Sequence, residues 1–200
     1  MGWKIYLIII SNANNINTTD VPKKIGLDDL KPTKEITILD AQFAKGISIG
    51  KYGDKIFIVS QDLVFKFYDK TPSAFEKRIC DSFPNSEIAV LTLNGTVDLY
   101  GYNIIKDGKR QRVKSGADLE LYVDYGDKLQ EEITISKEKI FDEEELKDIE
   151  GDNSKEQVQK IIDQEVSIRT TFRLTKRYFG KQFDQVGSDF EKIMVTQFER

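Results

Sequence analysis

The sequence predicts an α+β protein in which a mostly antiparallel sheet carries a few packed helices. Within the segment Glu87–Lys114, the dipeptides Asn94-Gly95 and Asp107-Gly108 separate three predicted strands, of which the third is polar and basic, and both dipeptides suit two-residue hairpin loops. The run Ile5–Ile10 is apolar at successive positions, as in a strand at the centre of a sheet. Apolar residues at helical spacing after Ser154 predict a long helix that packs on this sheet.

Composition excludes several function classes. The chain has 200 residues, of which 39% are hydrophobic and 32% charged, and this balance predicts a single globular domain, 1–200. With 30 basic and 34 acidic residues the net charge is −4, so nucleic acid is not the partner we expect. Histidine is absent, which excludes Ser-His and Cys-His catalytic pairs. Cys80 is the only cysteine, so we expect no intramolecular disulfide and a cytoplasmic setting.

The apolar run Ile5–Ile10 is also the only candidate for a targeting segment. It is shorter than the roughly 7–15 residues of a secretory core and the roughly 20 of a membrane span. We therefore interpret it as the first strand, Trp3–Ile10, and expect no membrane partner.

The three strands predicted within Glu87–Lys114 form an antiparallel meander. The elements before this meander are predicted from turn residues and helix caps. They are a short helix within Val21–Leu30 with Asp20 as N-cap, a strand Glu35–Leu39, a hairpin of Ile47–Lys51 and Lys55–Ser60, a segment Leu63–Tyr68 that suits a strand or a helix, and a helix over 72–83 with Thr71 as N-cap.

The two hairpin loops predict a strand register. In that register Leu93 pairs with Thr96 and Val90 with Leu99, while Ile105 pairs with Arg110 and Asn103 with Arg112. Arg110 and Arg112 then share one face of the sheet with Val97 and Leu99.

The part of the chain after the meander is less regular. Asp118–Tyr125 alternates like a strand, and residues 131–152 then hold ten acidic residues against three lysines. We predict a mobile acidic excursion at about 131–153, with Ile133 and Ile135 in a short strand at its start. Ser154 and Gln157 form a capping box for a helix that runs to about Tyr178 and stops at Gly180, and Phe190–Phe198 is the predicted final strand.

A basic stripe on the long helix is the strongest electrostatic feature. It comprises Arg169, Arg173, Lys176, Arg177 and Lys181, interleaved with aromatic residues. Such a stripe can bind an anionic ligand, or it can pair internally with the acidic segment 131–152, which is the interpretation we favour. The candidate binding residues are Arg110, Arg112, Arg173, Arg177 and Tyr178.

Four carboxylates after the Asp118–Tyr125 strand form the second candidate site: Asp124, Asp127, Glu131 and Glu132. Paired carboxylates can hold a divalent cation or perform acid–base catalysis. Their spacing matches no EF-hand, and an exposed acidic turn is the simpler interpretation. The sequence has no P-loop, no G-x-G-x-x-G and no G-x-S-x-G motif, and we expect no cofactor.

Several short motifs resemble those of an uncharacterised family of bacterial proteins. They are Asp107-Gly108-Lys109, then Asp124, Gly126, Leu129 and Glu131-Glu132 in a D-x-G-x-x-L-x-E-E pattern, and finally Lys176–Lys181, which spells K-R-Y-F-G-K. The resemblance covers mainly the C-terminal half of the chain. It implies a single bacterial intracellular domain and no particular activity.

The leading hypothesis from the sequence is a non-enzymatic protein-binding or interaction module, whose partner is another protein or a second copy of the chain. One alternative is a metal-assisted hydrolase or transferase that uses the carboxylate cluster. A second alternative is a small immunity or defence accessory protein.

Overall fold

The structure is a computed structural model that describes residues 2–185 and 189–200. Within these residues nine strands form one antiparallel sheet in the order β2-β9-β3-β4-β1-β5-β6-β7-β8. The strands are β1 (Lys4–Ile10), β2 (Lys31–Thr37), β3 (Ile47–Tyr52), β4 (Lys55–Val59), β5 (Glu87–Asn94), β6 (Leu99–Lys106), β7 (Lys109–Ala117), β8 (Glu120–Gly126) and β9 (Met194–Glu199). The helices are α1 (Val21–Lys24), α2 (Ile38–Ala41), α3 (Gln61–Val64), α4 (Ala74–Ser82), α5 (Gln130–Ile135), α6 (Glu143–Asp152) and α7 (Lys155–Phe179).

The predicted α+β class is confirmed, and the sheet has a hydrophobic core on each face. Ile5, Leu7 and Ile9 of β1 point to one core, where Phe172 and Leu174 of α7 pack; we call this side the α7 face. Tyr6, Ile8 and Ile10 point to the other core, the α4 face, which α1, α3 and α4 cover. Because β1 is fully buried and pairs with both β4 and β5, its prediction as a central strand is confirmed.

The long helix α7 begins and ends as predicted. The Ser154 side chain accepts a hydrogen bond from the Gln157 N–H, and the Gln157 side chain accepts one from the Ser154 N–H. Gly180 ends the helix with φ +80°, a conformation that glycine adopts without a steric penalty. No helix in the described residues is long and apolar enough to cross a membrane.

The start of α4 differs from the prediction by two residues. Ser73, and not Thr71, is the N-cap, and its hydroxyl accepts a hydrogen bond from the Glu76 N–H at 3.1 Å. The ambiguous segment Leu63–Tyr68 is helical, with α3 followed by a 3₁₀ turn at Phe65–Phe67.

The meander is confirmed, but its first loop is longer than predicted. β5 stays paired with β1 as far as Asn94, so the chain turns only after that residue, and Asn94 itself pairs with Leu99. The predicted pairs of Leu93 with Thr96 and Val90 with Leu99 are therefore wrong: Leu93 pairs with Tyr100 and Val90 with Asn103. The shift is an even number of positions, so the side chains of β6 still point to the predicted faces.

The second loop has the predicted length, but a bulge follows it. Ile105 pairs with Arg110 as predicted, whereas Ile104 pairs with Arg112, which leaves Gln111 as the extra residue. The predicted pairing of Asn103 with Arg112 is wrong, and so is the prediction that Arg110 and Arg112 share a face. Arg110 lies on the α4 face and Arg112 on the α7 face.

The acidic segment 131–153 contains α5 and α6, and its first turn packs against α7. Ile133 and Ile135 lie in α5, so the prediction of a short strand there is wrong. Glu132 and Ile135 are almost fully buried. The segment therefore begins as part of the folded core, and its mobility stays a prediction.

Gly126 offers a test of the bulge. This residue has φ +86°, and a Cβ at this position would overlap the carbonyl oxygen of Gln111. We expect Gly126→Ala to lower the free energy of unfolding by about 2 kcal/mol or more, because strain and overlap add. The matched control is Gly151→Ala in α6, where a Cβ meets open space and the change should stabilise by up to about 1 kcal/mol. Urea denaturation of both variants checks this, and equal stabilities would contradict the described bulge.

Candidate functional site

A buried ion pair lies where β7, β8 and α5 meet. Arg112 is 1% exposed and Glu132 2% exposed. The guanidinium donates to both carboxylate oxygens of Glu132, with Nε–Oε2 and Nη2–Oε1 distances of 2.8 Å. It also donates to Asp124 and to the Tyr125 carbonyl. In this bidentate geometry two parallel hydrogen bonds compensate for the hydration that the buried guanidinium and carboxylate lose.

The position of Glu132 follows from its place in the first turn of α5. Its Oε2 atom accepts a hydrogen bond from the Leu129 N–H at 2.8 Å, so the carboxylate also caps the helix. Burial by itself raises the pKa of Glu132, but the hydrogen bonds from Arg112 and from the Leu129 N–H outweigh it and hold that pKa below its ordinary value. The carboxylate is therefore ionised, and both of its oxygens accept hydrogen bonds.

The Tyr102 ring completes this buried cluster. The guanidinium carbon of Arg112 lies 6.0 Å from the ring centroid. Burial raises the pKa of Tyr102, and the charge of Glu132 raises it further. The phenol therefore stays neutral beside the ion pair.

Arg110 has a separate partner on the α4 face. Its Nε atom lies 2.7 Å from Glu76 Oε1, and its Nη1 atom lies 2.6 Å from the Asp69 carbonyl oxygen. Glu76 is 2% exposed, so this pair is also buried. The bulge thus directs two neighbouring arginines to carboxylates on opposite sides of the sheet.

The basic stripe of α7 lies against the acidic segment. Arg177 donates to both carboxylate oxygens of Glu131, at 2.8 and 2.6 Å, and Arg173 lies 3.0 Å from Glu138. Tyr178 is buried and donates its hydroxyl to Glu87. The favoured internal pairing with residues 131–152 is therefore present for Arg173 and Arg177, whereas the carboxylate partner of Arg169 is Glu165 within α7. A binding role for Arg110, Arg112, Arg173, Arg177 and Tyr178 stays a prediction.

The four candidate carboxylates do not meet in one place. Asp124 and Glu132 both contact Arg112, whereas Glu131 contacts Arg177, and Asp127 is exposed. No group of three or more metal-ligating side chains occurs in the part of the chain that the structure describes. Three of the four carboxylates therefore have an arginine as counter-charge, and Asp127 lies apart from them.

The edge strand β8 is a feature that sequence reasoning missed. Among the described residues no strand pairs with its outer side. Leu121, Tyr122 and Tyr125 are 56%, 53% and 60% exposed. The signal was present as Leu-Tyr-Val in a strand without proline or basic residues, but the sequence did not show that this strand is last in the sheet.

The opposite edge of the sheet is protected. β2 carries Lys31, Pro32 and Lys34 in exposed positions, and its register shifts between Pro32 and Lys34. Proline lacks an N–H group, and edge lysines and bulges hinder pairing with another chain. The pairing of β8 with β7 also shifts register, between Ser115 and Gly116, so the two edges differ in the lysines and the proline of β2 and not in the presence of a bulge.

The Arg112–Glu132 pair can be tested by a double-mutant cycle. We expect Arg112→Met or Glu132→Leu alone to cost about 3–5 kcal/mol of unfolding free energy, because the first leaves Glu132 without a counter-charge and the second leaves Arg112 with only the exposed Asp124. The double variant should cost at least about 2 kcal/mol less than the sum of the singles. The matched cycle is Arg173→Met with Glu138→Leu, a half-exposed pair that should couple by less than about 1 kcal/mol. Additive losses at 112 and 132, measured by urea denaturation, would contradict the buried pair.

The lowered pKa of Glu132 predicts a pH dependence. Its ordinary value is 4.5. Because folding lowers this pKa, the ionised carboxylate stabilises the folded state above pH 4.5. This stabilisation is lost as the pH falls through the folded-state pKa, where the carboxylate becomes protonated. The stability difference between the native chain and Glu132→Gln should therefore shrink as pH falls below 4.5. Urea titrations at several pH values measure it, and a difference that stays constant or grows in acid would refute the assignment.

Comparison with known proteins adds no identification, since no family model, no curated protein and no solved structure matches this chain.

Proposed function

We propose that this protein is a non-enzymatic binding module that accepts an extended segment of another protein as an additional strand beside β8. The observation that carries the proposal is the open outer side of β8, which has three exposed large side chains and no lysine or proline within the strand. Main-chain groups on such an edge supply affinity for an added strand, and the alternating side chains supply specificity.

Charge selects the kind of partner. Residues 116–127, which contain β8, hold Asp118, Glu120, Asp124 and Asp127 and no basic residue, and all four are exposed. An added strand with lysine or arginine among apolar residues would complement this edge. A second copy of β8 would instead bring like charges together, so the partner is a basic segment of a different protein.

The internal ion pairs support a binding role over the hydrolase alternative. Asp124, Glu131 and Glu132 each contact an arginine, which leaves them poorly placed to hold a metal ion or take up a proton. A role in immunity or defence is a special case of protein binding and stays a prediction.

A synthetic peptide of alternating valine and lysine, with blocked ends and a fluorescent label, tests strand addition. We expect saturable binding by fluorescence anisotropy that weakens with salt, together with slower amide hydrogen exchange in residues 120–126. Leu121→Lys with Tyr125→Lys should weaken binding by about tenfold or more, because edge lysines oppose both pairing and the basic peptide. The matched control is Val97→Lys with Met194→Lys, which adds the same charge at exposed apolar positions outside β8.

Two further peptides separate pairing from simple charge attraction. A peptide of the same composition with a central proline should bind more weakly, and a valine–glutamate peptide should not bind. Equal affinity of the edge and control variants would overturn the proposal. A free protein that sediments as a dimer, and becomes monomeric in the edge variant, would show that a second copy occupies β8.

A further inference from the structure

A cleft opens on the α7 face between β8 and the N-terminal half of α7. Its volume is about 420 Å³, and its walls include Tyr100, Lys114, Leu119, Asp124, Lys160 and Asp163. This volume is within the range of small-molecule sites. The cleft shares Leu121 with the exposed residues of β8, but it opens towards α7, whereas strand addition uses the main-chain groups on the outer side of β8.

Lys114 is the unusual group in this cleft. Its side chain is half-buried, and its ammonium makes no hydrogen bond or ion pair within the described residues. Its cross-strand neighbour is Asp124, whose carboxylate contacts Arg112. The second lysine of the cleft, Lys160, pairs with Glu156 at 2.9 Å. Because none of the described protein groups pairs with this ammonium, it is available to a ligand that enters the cleft.

The turn that forms one wall of the cleft is strained. Asp118 has φ +49° and Leu119 has φ +64°, a conformation that is rare for a branched apolar residue. The Leu119 N–H donates to Gln164 Oε1 of α7 at 2.9 Å, which holds the turn against the helix. Strain of this kind persists where surrounding contacts maintain it and is concentrated at functional sites.

Burial also shifts the titration of Lys114. Loss of hydration lowers the pKa of its ammonium, and this effect outweighs the neighbouring carboxylates, which raise it. The charged and titratable groups around it are Asp124 and Glu120 on β8, Glu132 on α5, Asp163 and Lys160 on α7, Arg112 on β7 and Tyr100 on β6. A larger fraction of Lys114 is therefore in the neutral, nucleophilic form than for an exposed lysine.

We propose that this cleft is a covalent binding site for small neutral aldehydes or ketones, in which Lys114 Nζ is the reacting atom. The nitrogen lone pair attacks the carbonyl carbon, and a proton passes from nitrogen to the former carbonyl oxygen. The resulting carbinolamine loses water as its C–O bond breaks and a C=N bond forms. No oxidant or reductant is consumed. Carboxylates outnumber lysines in the cleft, which disfavours an anionic ligand, and Leu119 and Leu121 line it, which favours a partly apolar one.

Reductive trapping tests the proposal. The full chain is incubated with propanal and sodium cyanoborohydride near neutral pH, where an exposed lysine is only about 0.1% neutral. Peptide mass spectrometry then measures the labelling rate of each lysine. We expect Lys114 to react several-fold faster than the exposed lysines, and this advantage should shrink as pH approaches 10, where every amine is substantially neutral.

Two variants and one competing outcome complete the test. Lys114→Arg should remove the dominant adduct while keeping the charge, and Lys23→Arg in α1, an exposed lysine on the opposite face of the sheet, should leave labelling of Lys114 unchanged. Mapping in the native chain decides the matter even if Lys114→Arg does not fold. Labelling that simply follows exposure would place half-buried Lys114 below the surface lysines and overturn the proposal. Strand binding at β8 does not depend on either result.

Discussion

The buried pair of Arg112 and Glu132 is the interaction on which the α7 side of the molecule depends. A guanidinium that is 1% exposed is tolerated only if its donors are satisfied, and both carboxylate oxygens of Glu132 satisfy them. Glu132 can reach Arg112 only if the chain after β8 returns over the sheet as α5. The ion pair thus links the last strand of the meander to the helix layer.

A β-bulge in β7 places the two buried arginines on opposite faces of the sheet. The bulge at Gln111 changes which residues of β7 face α7, so Arg112 meets Glu132 while Arg110 meets Glu76 on the other side. Without the extra residue both guanidinium groups would compete for space and counter-charge on one face. The Cβ-free position of Gly126 beside Gln111 lets the adjacent strand approach this bulge.

Basic and acidic residues lie in separate segments of the sequence, and the fold brings some of them into contact. Arginines of α7 contact Glu131 and Glu138, so the basic stripe and the beginning of the acidic segment largely neutralise each other. These pairs are half-exposed and each contributes little to stability. Their consequence for recognition is larger, because the acidic groups of β8 then face solvent at an edge that has no basic residue of its own.

Features with a local cause were predictable from the sequence. The central strand at Ile5–Ile10 follows from its unbroken apolar run, and α7 follows from the capping box at Ser154 and the stop at Gly180. The Asp107-Gly108 loop has the expected length because its two residues adopt positive φ within the hairpin itself. The pairing of the basic stripe with the acidic segment could also be predicted, since opposite charges of that density are rarely left apart.

Features that depend on contacts between distant residues were decided only by the tertiary structure. Asn94-Gly95 has good hairpin chemistry, yet pairing with β1 keeps Asn94 in the strand and moves the turn onward. The bulge at Gln111 leaves no clear mark in the local sequence, so the faces of Arg112 and Lys114 could not be assigned. Ile133 and Ile135 alternate like a strand, but Glu132 is held by Arg112 and caps a helix there. The sequence by itself determined the central strand, both ends of α7 and the charge segregation, because these arise from neighbouring residues. The tertiary structure alone decided that β8 is an open edge and that Lys114 lies unpaired in a cleft, because both depend on which elements pack beside them.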